Sequence, residues 1–229
     1  MRYRLKFEKR GSVRFTSHRD IVRIVQRSIA AAGIPVAYSQ GYHPHMLMSF
    51  GPPLKTGWSG FDEYMDVHLE EPVASLARRC NAFLPEGLHV LACSGVADGV
   101  PKLANDICAA SYHVRVRRED LEAGVESGAT ALARINNQVK ARFDGSDDTV
   151  GDVPRVIGVS AEIDGDDLSI EYTSTMHSGR VVVPLELAAE YGGTGELATP
   201  LRVARSAQFV MRSGEYLSPL NQAVIQGIQ

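Results

Sequence analysis

The stretch YRLKFEKRGSVRFTSHRDIVRIVQRSIAAAG, residues 3–33, decides how the chain begins to fold. Its first six residues alternate, with Tyr3, Leu5 and Phe7 on one side and Arg4, Lys6 and Glu8 on the other. That period of two predicts a half-buried strand with a basic outer face. Gly11 and Ser12 interrupt it, and residues 13–15 are expected to resume it. Ser17 then stands at an N-cap position with Asp20 three residues on, a capping box carrying Asp in place of the usual Glu or Gln. The helix this predicts runs over 18–32, buries Ile21, Ile24, Val25 and Ile29, and ends at Gly33 and Pro35. Arg19, Arg23 and Arg27 fall at i, i+4 and i+8, which lines one side of that helix with cations.

Further along, residues 35–39 read as a short strand, followed by a Gly- and Pro-rich segment over 40–60 with an extended stretch at 46–50. A connection so long and so weakly patterned is usually functional or disordered, and its aromatic and histidine content argues against disorder. Alternation returns at 63–69, a helix is expected over 72–83, and 87–93 reads as a strand. Strand, helix, strand, strand, helix, strand is the ferredoxin-like order. After a link at 94–110 a second set follows: a strand at 112–117, a helix over 119–139, an acidic, turn-rich segment at 142–154, a hairpin of 155–163 and 168–173 about Asp164-Gly165-Asp166-Asp167, a helix over 184–191, and a last strand at 201–211. The expected fold is therefore α+β, two tandem ferredoxin-like (βαββαβ) domains with antiparallel sheets, spanning 1–94 and 110–229.

Charge is distributed unevenly over this plan. Residues 1–60 hold ten Lys or Arg against Glu8 and Asp20, a formal +8, whereas the whole chain of 229 residues is -3. Residues 61–170 hold ten cations against twenty carboxylates, a formal -10. A concentrated positive field at one end attracts polyanions, of which a phosphate backbone is the commonest in a cell. The bland alternative is a solvated basic face. The three cysteines, Cys80, Cys93 and Cys108, are too widely spaced for a disulfide framework, a paired zinc site or the converging thiolates of an iron-sulfur cluster. No metal and no cofactor is expected. With no apolar stretch long enough for a signal peptide or membrane span, a cytoplasmic chain without membrane association is expected.

Candidate binding residues crowd into residues 15–60. Ser17, His18, Arg19, Arg23 and Arg27 gather at and along the first helix, where free amides and the helix dipole favour an anion. Gln40, Tyr42, His43, His45, Lys55 and Trp58 follow in the long segment. Tyr38, Tyr42, Phe50 and Trp58 among cations and histidines have the composition of a base-stacking platform, with Tyr42 and Trp58 the foremost candidates; the alternative is that they anchor the loop. His43 and His45 flank Pro44 and point to opposite sides of an extended chain, which disfavours a shared metal. Asp62, Glu63 and Asp66 read as the polar face of a strand, and residues 177–180 as a turn that could extend a binding surface.

FTSHRD at 15–20, YSQGYHPH at 38–45, SFGPPLKTG at 49–57 and EYMDV at 63–67 resemble the radical-SAM-linked protein family, uncharacterised domains found alone or fused to the C-terminus of cobalamin-binding radical SAM proteins. The resemblance implies a radical SAM protein as partner, and it carries no activity. A second, fold-level resemblance is to the CRISPR repeat-processing endoribonucleases, tandem ferredoxin-like RNA binders. The leading expectation is an accessory protein without activity of its own that binds structured RNA, tRNA or rRNA, for a radical SAM partner. Two alternatives stand beside it: a metal-independent ribonuclease or transferase using His18 or His45 as general base, and a protein-interaction module.

Overall fold

The computed structural model describes residues 1–117, 120, 129–143, 154–177, 179–191 and 202–222. They form a mixed α+β protein of mostly antiparallel sheet and few helices, divided into two units. One comprises residues 1–107 together with the chain from 207 onward; the other comprises 108–206. This division differs from the expected 1–94 and 110–229, because the end of the chain belongs with the first unit.

In the first unit, β1 (Arg2–Lys9) lies between β3 (Ser59–His68) and β4 (Leu88–Val96), antiparallel to both, and β2 (Met48–Phe50) pairs with the second half of β3. Helices α1 (His18–Ala31) and α2 (Leu76–Asn81) bury Ile21, Val25, Ile29, Leu76 and Cys80 against Tyr3, Leu5, Met65, Val67, Leu88 and Val90. Alternation on β1 thus chose the core-facing side correctly, since Tyr3, Leu5 and Phe7 all lie in this cluster. Burial there pushes the Cys80 thiol up to about 11, which keeps it protonated and unreactive near neutrality.

The expected basic outer face of β1 is a correction. Arg4 is 0% exposed and makes a two-pronged bond to Asp66 directly opposite on β3, Nε to Oδ1 at 2.8 Å and Nη2 to Oδ2 at 3.0 Å. Lys6 is ion-paired with Asp62, Arg2 donates to the Val100 carbonyl, and Lys9 is buried with its ammonium on the Thr16 carbonyl at 3.0 Å. The cover for this second face comes from far along the chain. Helix α3 (Leu103–Asp106) packs on β2 and β3, and a 3-10 turn at Pro219–Gln222 packs on β1 and β4, where the Pro219 carbonyl accepts from Arg4. Asp62 also accepts the Gln208 amide at 2.7 Å, and Tyr64 donates its hydroxyl to Asp62. Asp62 and Asp66 are therefore a buried network rather than a solvated strand face.

Helix α1 starts where the capping box placed it. The Asp20 amide donates to Ser17 Oγ at 3.3 Å, and Ser17 Oγ donates to Asp20 Oδ2 at 2.7 Å. Gly33, at φ +61, takes the left-handed conformation that ends the helix. Ser17→Ala should destabilise the protein by about 1 kcal/mol, read from the urea midpoint. The Ser17 hydroxyl, and after it Arg23 and Arg19, hold the Asp20 carboxyl below the usual range. That contribution is present above the unfolded carboxyl pKa and lost as pH falls through the lowered folded value, so the Ser17→Ala penalty should shrink in acid.

Elsewhere the boundaries differ. Residues 13–15 do not resume β1 but belong to a 3-10 turn, Gly11–Phe15, which buries Val13. Residues 35–39 contribute only isolated bridges, Val36 to Leu69 and Tyr38 to Met46. Helix α2 starts four residues later than its proline suggested, because Ser75 sits left-handed at φ 53. The expected link at 94–110 is structured, carrying the end of β4, α3 and the start of β5 (Ile107–Arg117).

The second unit places β5 next to β7 (Asp167–Thr175) and β7 next to β6 (Val156–Asp164), with helices α4 (Ala129–Phe143) and α5 (Pro184–Glu190). The predicted hairpin closes tightly: Asp164 pairs with Asp167, leaving Gly165 and Asp166 as a two-residue turn with Gly165 at φ +59. Strand β8 (Arg202–Arg212) begins in this unit and ends in the first, where a Ser213-Gly214 turn leads into β9 (Glu215–Leu217), a strand not foreseen. Of the expected helix over 119–139 and the turn-rich segment over 142–154, residues 119, 121–128 and 144–153 lie outside the described residues.

Candidate functional site

The helical spacing of Arg19, Arg23 and Arg27 projects all three into solvent from α1. At a rise of about 1.5 Å per residue, neighbouring members stand about 6 Å apart along the axis. Arg23 shares Asp20 Oδ1 at 3.1 Å. The head of the helix is not the open anion site its sequence implied. Ser17 is committed to its capping bonds, and the Asp20 carboxylate occupies the first turn, where it already complements the dipole. His18 is half-buried, its ring edge-on to Phe50 at 5.5 Å between centroids. It lines a shallow hollow with Lys9, Glu63, Tyr64 and the Gly51–Leu54 corner. His18 thus packs on the end of β2 at one wall of that hollow.

Beside that hollow lies a cluster that sequence reasoning only half saw. The Gly57 amide donates to the Arg14 carbonyl at 2.8 Å, joining the 3-10 turn to the loop that carries Lys55 and Trp58. On the turn, the Arg14 guanidinium lies 4.6 Å from the centre of the Phe15 ring; on the loop, the Lys55 ammonium lies 5.5 Å from the Trp58 ring. Phe15 is 62% exposed, unusual for a phenyl ring that packing could have hidden, and Lys55 is exposed as well. Arg14 and Phe15 were missed because the segment was expected to be strand. The available signal was a cation directly before an aromatic, Arg14 preceding the Phe15 that opens the FTSHRD motif.

The remaining residues form a tip. The Ser39 amide donates to the His45 carbonyl at 2.9 Å, the His45 amide to Ser39 Oγ at 3.1 Å, and His45 Nδ1 sits 2.8 Å from Ser39 Oγ. These bonds and the Tyr38 to Met46 bridge close the base of the loop, leaving Gln40, Tyr42, His43 and His45 exposed, with Tyr42 at 102%. The base of the tip is tied to the last residues of β3 through Ala37 N to the His68 carbonyl, whereas Trp58 precedes the first. Ten strand residues at about 3.3 Å each separate the two groups by about 30 Å. The candidate residues are therefore two sites on one unit, with α1 beside them, and not one continuous surface.

In the second unit, His177 and Arg180 close a tight turn through reciprocal backbone bonds of 3.0 and 2.8 Å. Residue 178 lies outside the described residues. Among the described residues no three His, Cys, Asp or Glu side chains gather in a way that could hold a metal ion. No helix among them is long and apolar enough to cross a membrane.

Comparison with known proteins places these features in a family. No curated protein matches the chain. Among solved structures, it is similar at 15% identity and a TM-score of 0.42 to a chain of the archaeal box H/ACA sRNP Nop10-Cbf5 complex, covering 93% of this chain and 47% of that one. It is also similar, at 12% identity and a TM-score of 0.26, to an unknown protein from Galdieria sulphuraria, covering 83% and 86%. Likenesses this weak carry no argument about fold or role. A family model does match, over residues 2–184, and it spans all of the candidate residues. The chain belongs to DUF2344, a family described as an uncharacterised protein conserved in bacteria.

Proposed function

We propose that this protein is an accessory factor that binds structured RNA, tRNA or rRNA, on behalf of a radical SAM partner, and has no activity of its own. The observation that carries this reading is the row Arg19, Arg23 and Arg27, exposed at about 6 Å intervals along one helix beside two further cations that each sit against an aromatic ring. Cations spaced this way follow a phosphate backbone, and rings beside them stack on bases. The partner rests on the resemblance of residues 15–67 to radical-SAM-linked domains, and on a chain whose three cysteines are too widely spaced to converge on an iron-sulfur cluster. The same reading takes the two units as tandem ferredoxin-like folds. What supports it is the repeated order of strand, helix, strand, strand, helix, strand, with the first strand of each set beside the third.

The test is binding of bulk tRNA, followed by fluorescence anisotropy between about 50 and 200 mM salt. The wild type should weaken steeply with salt. The triple variant Arg19→Glu, Arg23→Glu, Arg27→Glu should bind at least about a hundredfold more weakly, with the log-log salt slope reduced by about 3, one for each lost phosphate contact. Equal binding by the variant would remove the arginine row from the site, and no binding by the wild type at low salt would end the RNA reading. Co-purification of a radical SAM protein with the tagged chain checks the partner separately.

A further inference from the structure

The cluster of Arg14, Phe15, Lys55 and Trp58 has a chemistry different from that of the arginine row, and it says what form the RNA takes. Duplex RNA presents phosphates and 2′-hydroxyls outside and hides its base faces in the stack, so a row of arginines suffices to hold it. An exposed aromatic ring with a cation beside it gains from a base only when that base is unpaired and can lie flat on the ring. Phe15 meets that condition at 62% exposure, and its neighbour Arg14 supplies a charge 4.6 Å from the ring. The half-buried Trp58 repeats the pairing of ring and cation with Lys55, across the hydrogen bond from Gly57 to Arg14. Two rings and two cations on two bonded loops match the alternation of base and phosphate in a single strand.

We infer that this cluster is a stacking site for unpaired nucleotides, so that the preferred RNA carries a single-stranded segment at the head of α1 beside a region held along the arginine row. This rests on the RNA-binding reading above and narrows it to RNA with an exposed single strand. Phe15 is the platform, and Arg14 and Lys55 hold the flanking phosphates.

Trp58 is the only tryptophan in the chain, which makes the site observable directly. The experiment titrates the full chain with an oligouridylate of about eight nucleotides and, separately, with a blunt RNA duplex of similar length, following Trp58 fluorescence and the anisotropy of the labelled RNAs together. The single strand should quench Trp58 strongly and the duplex should leave it nearly unchanged. Phe15→Ala, a surface change that circular dichroism should show folded, should weaken oligouridylate binding about tenfold while altering duplex binding by less than about twofold. Equal quenching by the duplex, or a Phe15→Ala variant that binds the single strand like wild type, overturns the inference. If the anisotropy still reports salt-dependent binding in that case, the RNA reading survives and only the stacking site falls; if no RNA binds at all, both fall.

Discussion

Asp66→Ala should destabilise the protein by about 3–5 kcal/mol, the cost of stranding a buried guanidinium. Arg4 has no exposed surface, and Asp66 accepts both Nε and Nη2 from it in the two-pronged geometry that makes Arg-carboxylate pairs strong. Among the described residues, Arg4 without that carboxylate keeps the Pro219 and Pro101 carbonyls, at 3.2 and 3.5 Å, and Asp106 at 3.9 Å, while Asp106 is shared with Arg212 at 2.5 Å. Those neighbours do not replace a direct ion pair in a site water does not reach. With a urea slope of about 1–3 kcal/mol per molar, the midpoint should fall by at least about 1 M. Replacing both partners, Arg4→Met with Asp66→Leu, should recover much of the loss, since a buried pair is weakly stabilising against an apolar pair of similar volume. A single-variant cost below about 1 kcal/mol would mean that this face behaves like exposed surface, where ion pairs contribute little. It would also return Arg4 to the set of cations available to a polyanion.

That pair shows where sequence reading stops. Alternation over residues 3–8 identified which side of β1 meets the helices, because apolar residues at a period of two have one destination. It could not say whether the polar side meets water. A strand with Arg and Lys on its second side reads as solvated in isolation; here the cover is built from α3 and from residues after 207, a hundred and more positions away. The formal +8 of residues 1–60 overstated the surface field for the same reason, since Arg4 and Lys9 are buried and Lys6 is neutralised by Asp62. Local signals did better. Ser17 and Asp20 placed the start of α1, Gly33 its end, and Asp164 to Asp167 the tight hairpin, because caps and turns are decided by residues within a few positions. The arginine row followed from spacing alone. The Arg14-Phe15 platform did not, because its exposure depends on a 3-10 turn held by two distant segments, Gly57 on one side and Gly87 on the other.

Gly87 leads to the other large effect. Its φ is +90, and its carbonyl accepts the Arg10 amide at 2.8 Å. A Cβ added there would lie 2.5 Å from the Arg10 carbonyl oxygen and 3.2 Å from Val13 Cγ2. The first contact is with backbone, so no rotamer change relieves it; the chain from Arg10 to Val13 must move. Gly87→Ala should therefore cost about 2–5 kcal/mol, combining a disfavoured backbone conformation with overpacking. Gly99→Ala is the control, because Gly99 has a similar φ of +85 with nothing within 4 Å of the added carbon. It should lose only about 1–2 kcal/mol, from conformation alone. The difference in urea midpoint between the two variants then isolates the clash, and equal losses would show that the turn does not rest on Gly87. The displaced segment runs directly into Arg14 and Phe15, so under conditions where Gly87→Ala is still folded it should bind the single-stranded RNA more weakly than Gly99→Ala does. Duplex binding along α1 should be alike in both, since α1 is held by its own cap and by Ile21, Val25 and Ile29 in the core. A loss confined to the single strand would connect the position of one glycine to the platform it supports, through a chain of contacts that ends at the Phe15 ring.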